Sequence, residues 1–438
     1  MPVDELTHRS RGRIDPDVVV VGAGLAGLAA ARQLCAAGLT VAVLESARHI
    51  GGRTATVEFD GFRLDQGSHL LNTSYPELSR VLDLDRLQLR PLAPGVLVHS
   101  DGRRHRVGDP RRPITRLAAD RSAIGSPLDK ARLGAALARL AATPAAQLLT
   151  RPELTAAQAL AARGLSARVM DGFLRPLLTA LLSDPELSTS SRCADLALRA
   201  YARGRLCLPA EGIAAVPQQL AEGLPPGTVR LGVQAVAVSA DGVDTLRHGR
   251  VRGRCVVLAT DAVSAAGLLP GLHLPDFHPV TTFYHAAPQP PLAEPVLLLD
   301  ADRESPVSHS LVLSRVHSSY APPGQSLVAT TVLGRRSFDA GGPAALEPVV
   351  RRRLSELYGT STAPWTFLTV RHVERAVPAM PPPHHFRRPV RVIGGLYVCG
   401  DHRDTSTVQG ALVSGRRAAQ QILRDLKVAS APRAAAAA

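Results

Sequence analysis

Asp17-Val18-Val19-Val20-Val21-Gly22-Ala23-Gly24-Leu25-Ala26-Gly27-Leu28-Ala29-Ala30-Ala31-Arg32 is the stretch around which the chain is organised. Four consecutive valines are too short and too β-branched for a buried helix, and they stop at a glycine-rich turn, which predicts a buried parallel strand. Leu25 to Ala37 is rich in alanine and leucine, and Gly38 can close it in a left-handed cap. Thr40 to Leu44 is again β-branched and apolar and ends on Glu45. The unit is therefore strand, tight turn, helix, strand and acid, the context in which a Gly-x-Gly-x-x-Gly run binds a dinucleotide.

Each residue type in this unit has a physical task. Gly22 permits the tight turn, Gly24 lets backbone approach a diphosphate, and Gly27, with Ala31 beyond it, lets the helix pack close to the strand. Ala26 belongs to the same turn, where unpaired N–H groups and the helix dipole face the phosphates. Glu45 is placed to accept hydrogen bonds from a ribose diol and repels a 2′-phosphate. Soon after it, Gly51-Gly52-Arg53 supplies a second glycine pair and an arginine fork for the same diphosphate. Acid, short spacer and Gly-Gly-Arg together resemble the flavin-containing amine oxidase and phytoene desaturase superfamily, which implies FAD rather than NAD.

The resemblance runs from about Asp17 to Leu426 and is strongest at the two ends. It implies an α/β fold: a Rossmann-like FAD-binding domain of the glutathione-reductase type, built from 15–90, 209–270 and 386–426. A discontinuous mixed α+β substrate domain would come from 91–208 and 271–385, with flexible tails at 1–14 and 427–438. In the superfamily, a segment like Asp65-Gln66-Gly67-Ser68-His69 runs beside the flavin ring, so Gly67 and Ser68 become cofactor candidates and Ser68 and His69 catalytic ones. His69 reads equally well as a histidine bonded to backbone at a helix start. Val229 to Val238 alternates as a strand that would place Ala235 against the adenine, and Cys255 to Ala259 is a strand ending near the nucleotide at Thr260. Gly395 to Asp401 is an apolar strand meeting Gly400 and Asp401, after which a helix opens at Gln409-Gly410-Ala411. By resemblance the acid holds the ribityl or diphosphate part, and the helix N-terminus faces the ring edge where negative charge develops on reduction.

Between these ends the sequence is less specific. Ile114 to Ala200 is a string of Ala, Leu and Arg broken by Gly and Pro, which predicts several helices. Phe173 to Leu178 is its most apolar part, and Arg175 there could anchor an acidic substrate group, although such an arginine is more often a snorkelling or ion-pair residue. Pro279 to His285, Val296 to Leu299, Ser308 to Val316 and Ser326 to Val332 predict an antiparallel sheet, followed by a helix over Leu346 to Leu357 and a strand over Trp365 to Val373. Tyr284, Trp365 and His372 could face substrate, though isolated aromatics on strands are more often core. His402, beside Asp401, completes the candidate catalytic set of Ser68, His69, Arg175 and His402.

Composition narrows the function classes. The chain has 438 residues, a formal charge of +14 and 45% hydrophobic residues, enough for two domains. Lys130 and Lys427 are the lysines, so the positive charge is almost all arginine, clustered at Arg103-Arg104-His105-Arg106, Arg111-Arg112, Arg351-Arg352-Arg353, Arg387-Arg388 and Arg416-Arg417. With aromatics at 3% and no reading motif, nucleic acid is not expected as a partner. A solvated face is the simplest account of the clusters, and peripheral membrane contact is the alternative. Five scattered cysteines without a Cys-x-x-Cys pair argue against a metal site or a disulfide framework and fit a reducing, cytoplasmic setting. The first sixteen residues carry no apolar run of signal-peptide length.

The function expected from the resemblance is an FAD-dependent oxidoreductase that removes a hydride from an apolar or amphipathic small molecule, with the flavin as redox centre and an unnamed electron acceptor. Neither lysine falls on a segment matching the flavin-side lysine of the amine oxidases. Carbon–carbon dehydrogenation or desaturation therefore stands ahead of amine oxidation and of a redox-neutral isomerase or mutase.

Overall fold

Val18–Val21 is buried on both faces because it sits in the middle of a six-stranded sheet. Its neighbours are Val41–Glu45 and Cys255–Leu258, both parallel to it in continuous register. Val229–Leu231 and Leu396–Val398 extend the parallel array outward, and Arg391–Ile393 closes one edge antiparallel. Alternation along these strands decides which layer each side chain joins. Val18, Val20, Val41, Val43 and Val257 pack with the helices Leu25–Ala36, Ala215–Glu222 and Val408–Asp425, whereas Val19, Val21, Val256 and Leu258 face Val243 and Ala265 on the other side. The computed structural model describes residues 15–67, 70–108, 125–334 and 342–428. The two tails predicted to be flexible lie almost wholly outside that set.

The first and last helices touch backbone to backbone. A Cβ at Gly415 would stand 2.1 Å from the Ala26 carbonyl oxygen, so no side chain fits at this crossing. The glycine thus lets two elements nearly four hundred residues apart in sequence share one interface.

A second sheet has seven strands, in the spatial order Thr366–Pro378, Phe277–Ala287, Ser326–Leu333, Val307–Val312, Leu298–Asp300, Val96–Ser100 and Arg103–Val107. Helices between Pro127 and Arg203 pack on one face through Leu137, Phe173, Leu177 and Leu198, and the helix Glu347–Tyr358 covers the other through Val350, Leu354 and Leu357. An ion cluster ties that helix to the sheet: Arg353 donates to Asp300 at 2.7 Å, to Asp302, and to His99 at 3.2 Å. His99, Asp300 and Asp302 are close enough to hold a cation, but the guanidinium already occupies them.

Two sequence expectations change. Val229 to Val238 is not one strand: Gly232 takes a left-handed φ of +71°, and Ala235–Ser239 turns off into a separate three-stranded antiparallel sheet with Gly242–Thr245 and Arg250–Arg252. The end of the Ser308 to Val316 run is the short helix Leu313–Val316. Tyr284 and Trp365 are core, Tyr284 donating from its hydroxyl to the Asp65 carbonyl at 2.6 Å, while His372 bonds Thr281 and Glu374. All five cysteines are free thiols.

Gly415→Ala is expected to cost about 1–3 kcal/mol, the usual range for overpacking, because the obstructing atom is a backbone carbonyl that cannot swing aside. Gly267→Ala, whose Cβ would meet nothing within 4 Å inside a helix, should unfold no earlier than the parent. Urea titration of the two variants checks both.

Candidate active site

A cavity of about 1190 Å³ is lined by residues of both sheets and of the helical layer. One half of it is built from the turn after the first strand. Gly22, Gly24 and Ala26 line it, and a Cβ at Gly24 would meet nothing within 4 Å, so the helix N-terminus opens directly onto empty space. Glu45 lines the same half. Its carboxylate accepts from the Ala23 and Ala47 backbone N–H groups, each at 2.8 Å, which locks it at the end of its strand. Gly51, Gly52, Ala235, Thr260 and Asp261 complete this side, with Asp261 capping the helix Ala262–Leu268 through the Val263 and Ser264 N–H groups.

Arg53 joins the two ends of the chain. Its guanidinium donates to the Asp401 carboxylate at 2.7 Å and to the Ala376 carbonyl at 2.8 Å, so it is held by an acid as well as facing the cavity. Burial alone would raise the Asp401 carboxyl, but the Arg53 charge and hydrogen bond outweigh it and hold the group below the usual aspartate range. Beyond Asp401 the last helix starts at Val408, capped by the Thr407 side chain, which accepts from the Gly410 N–H at 3.0 Å. Gln409 and Ala411 line the cavity, and Gln409 also accepts from the Glu77 N–H at 3.0 Å. Gly67 and Gly400 line it as well.

The other half is formed largely by the helices Arg175–Leu182 and Ser191–Arg203, through Leu181, Leu182, Leu196 and Ala197, with Leu149 and Leu297 beside them. His309 projects there from its strand, and burial pushes its imidazole down to about 4, so it is neutral. Asn72, Ser74, Arg199 and Arg375 also line the cavity. None of these was among the sequence candidates. The alternation of Val307–Val312 is the one signal that pointed inward at His309, and Arg199 looked like one more arginine in a helical run.

Several candidates fall elsewhere. Gly27 packs against the Gly22 carbonyl and Ala259, and Gly410 against the Thr405 carbonyl, so neither lines the cavity. Arg175 pairs with Asp171 one helical turn away, at 3.1 Å, and does not reach the site; the ion pair takes the charge that an acidic substrate group was to have met. His402 is buried behind Gly400 rather than in the cavity, with its pKa pushed down to about 4 by burial. Its ring packs against Gly400, where an added Cβ would stand 2.5 Å from it, and does not line the cavity. Ser68 and His69 lie outside the described residues.

The donor set fits FAD. Two glycine turns leave room for a diphosphate, a helix N-terminus faces it, and the N-terminal turn of the last helix lines the same cavity. Residues 25–423 match the model of the flavin containing amine oxidoreductase family. A putrescine oxidase from Kocuria rosea is 44% identical over 105 residues, 23% of this chain and 22% of that protein. A hydroxysqualene dehydroxylase from Rhodopseudomonas palustris is 29% identical over 446 residues, 93% of this chain and 98% of that one. An oxidoreductase structure from Methanosarcina mazei superposes with a TM-score of 0.72 at 17% identity, covering 92% of this chain and 99% of its own. Among the described residues no helix is long and apolar enough to cross a membrane.

Asp401→Asn should lower stability at pH 7 by about 1.5–3 kcal/mol, the scale of a hydrogen bond to a charged group. A carboxylate with a depressed folded pKa stabilises above its unfolded value and loses that contribution as pH falls through the folded one. The gap between parent and variant should therefore begin to narrow on acidification below the ordinary aspartate range, read by urea unfolding from pH 7 down to pH 3. Gly24→Ala is expected to leave the unfolding midpoint of the apoprotein unchanged, yet weaken FAD at least about tenfold, or 1.4 kcal/mol, by equilibrium dialysis.

Proposed function

The chain belongs to the flavin-containing amine oxidoreductase family and is an FAD-dependent oxidoreductase, and from that premise we propose that it removes a hydride from an apolar or amphipathic small molecule, as a dehydrogenase or desaturase. The observation that carries the reading is the wall of the substrate half. Leucine and alanine from two helices form most of it, and no carboxylate among the described lining residues lies on that helical layer. An alkylammonium substrate needs a carboxylate or an aromatic cage. Tyr75 and Phe386 are the described aromatic lining residues, and neither Lys130 nor Lys427 lines the cavity. The near full-length match to a hydroxysqualene dehydroxylase supports an apolar substrate in the same way.

The six-stranded sheet is read as a Rossmann-like FAD domain of the glutathione-reductase type, since its parallel strands follow the doubly wound order from a central first strand. In this reading the N–H groups at Gly24 and Ala26, with Gly52 and Arg53, hold the diphosphate. Glu45, fixed by two backbone N–H groups, meets the adenosine ribose, and Ala235 and Thr260 flank that end. Asp401, oriented by Arg53, holds the chain that leads to the ring. FAD, when bound, supplies the hydride acceptor. The N-terminus of Val408–Asp425 places partial positive charge at the ring end and favours the reduced, more negative state. The leucine-lined helices orient the substrate and exclude water, which limits side reactions.

Purified protein should be yellow and release FAD on denaturation. Under anaerobic conditions its visible band should bleach with long-chain polyenes or their saturated precursors and not with putrescine or other alkylamines. Faster bleaching by the amines would overturn the desaturase reading while leaving the flavin in place.

A further inference from the structure

Four carboxylates line the described part of the cavity, and all four are already engaged. Glu45 accepts from two backbone N–H groups, Asp261 caps a helix, Asp401 pairs with Arg53, and Asp404 pairs with Arg417 at 3.4 Å. Arg53, Arg199, Arg375 and Arg387 line it as well, Arg53 matched by Asp401 and Arg387 near the charge of Asp404. Arg375 lies on the strand Thr366–Pro378 and not on the helical layer.

Arg199 stands apart. It lies on Ser191–Arg203, half-buried, with Leu196, Ala197 and Ala200 of its own helix lining the cavity beside it and Leu149 across from them. Its Nε donates to the Thr143 carbonyl at 2.8 Å, and among the described residues its two terminal nitrogens have no protein acceptor. The charge that acts on it is another cation, Arg203; burial first and then Arg203 push its pKa down. A guanidinium placed against an apolar wall, next to a like charge and without an anion, is unfavourable for folding. The planar fork matches a carboxylate or phosphate in bidentate fashion.

We propose that Arg199 is the specificity-determining residue of the substrate half and that this half takes an amphipathic anion, its carboxylate or phosphate head on the Arg199 fork and its hydrocarbon along the leucine-lined helices. The proposal rests on the reading of the helical half as the substrate end, and it accounts for a preference against an alkylammonium ion there: the head would meet the Arg199 guanidinium and, among the described lining residues of that layer, no acid.

The test is calorimetric titration of the yellow holoenzyme with decanoate, decyl phosphate, decan-1-ol and decylammonium, all below their aggregation limits. At least one of the two anions should bind ten times or more tighter than the alcohol, and the ammonium weaker than the alcohol. The comparison between decanoate and decyl phosphate distinguishes a carboxylate head from a phosphate head. Arg199→Gln should bring the preferred anion to within about twofold of the alcohol, and Arg199→Lys should retain part of the preference. Equal binding of anion and alcohol, tighter binding of the ammonium, no binding of any probe, or an unchanged preference in Arg199→Gln would each overturn the proposal. If Arg199→Gln does not fold, the parent's anion-to-alcohol ratio and the lysine variant decide. A colourless protein that refuses FAD would instead sink the flavin reading, which these titrations do not address.

Discussion

The pair formed by Arg53 and Asp401 is the constraint on which the rest depends. Arg53 follows the second glycine turn near the start of the chain and Asp401 follows the last parallel strand near its end. Their 2.7 Å contact closes the cavity at the join between the two. An arginine beside a diphosphate site is ordinarily read as a phosphate ligand. Here the guanidinium first neutralises an acid and grips the Ala376 carbonyl, so its direction is set before any ligand arrives. Such preorganisation lowers the ordering cost of binding. It also connects the nucleotide side to Thr366–Pro378, the edge strand of the seven-stranded sheet, so that the two sheets meet around one ion pair.

The same rule, arginine used internally, accounts for much of the basic composition. Arg351 pairs with Glu347, Arg353 with Asp300 and Asp302, Arg416 with Glu77, and Arg417 with Asp404. Clusters that look in sequence like free patches are in large part ties between layers. Arg111-Arg112 lies outside the described residues, while Arg103–Val107 remains an edge strand with exposed arginines. Each such pair cancels an acid that the net charge of +14 already counts, so the pairing leaves that excess in place and breaks up the clusters that look in sequence like continuous basic patches.

The nucleotide half was legible because its signals are local. Val18–Val21, Gly24, Gly51-Gly52 and the strand ending at Gly400 each encode backbone geometry in a few adjacent residues, and most of the residues singled out there line the cavity. The substrate half is assembled from long-range packing. Arg175 and Arg199 sit on adjoining helices of similar composition, and nothing local distinguishes the one tied to Asp171 from the one facing the cavity. Val229 to Val238 shows the limit on the sheet side. Alternation was real, but Gly232 sends its two halves into different sheets, a choice made by the parallel pairing of Val229–Leu231 with Val43, Leu44 and Glu45.

The contact of Gly415 with the Ala26 carbonyl bears on the order in which the molecule is made. The first βαβ unit is made nearly four hundred residues before Val408–Asp425, and until that helix has been made the helix Leu25–Ala36 stays without the neighbour that covers it. Until then the parallel sheet lacks a strand, the cavity lacks a wall and Arg53 lacks its acid. FAD capture therefore waits for Val408–Asp425, and the nascent chain must keep the valine-rich sheet from aggregating while the residues between the two helices are made.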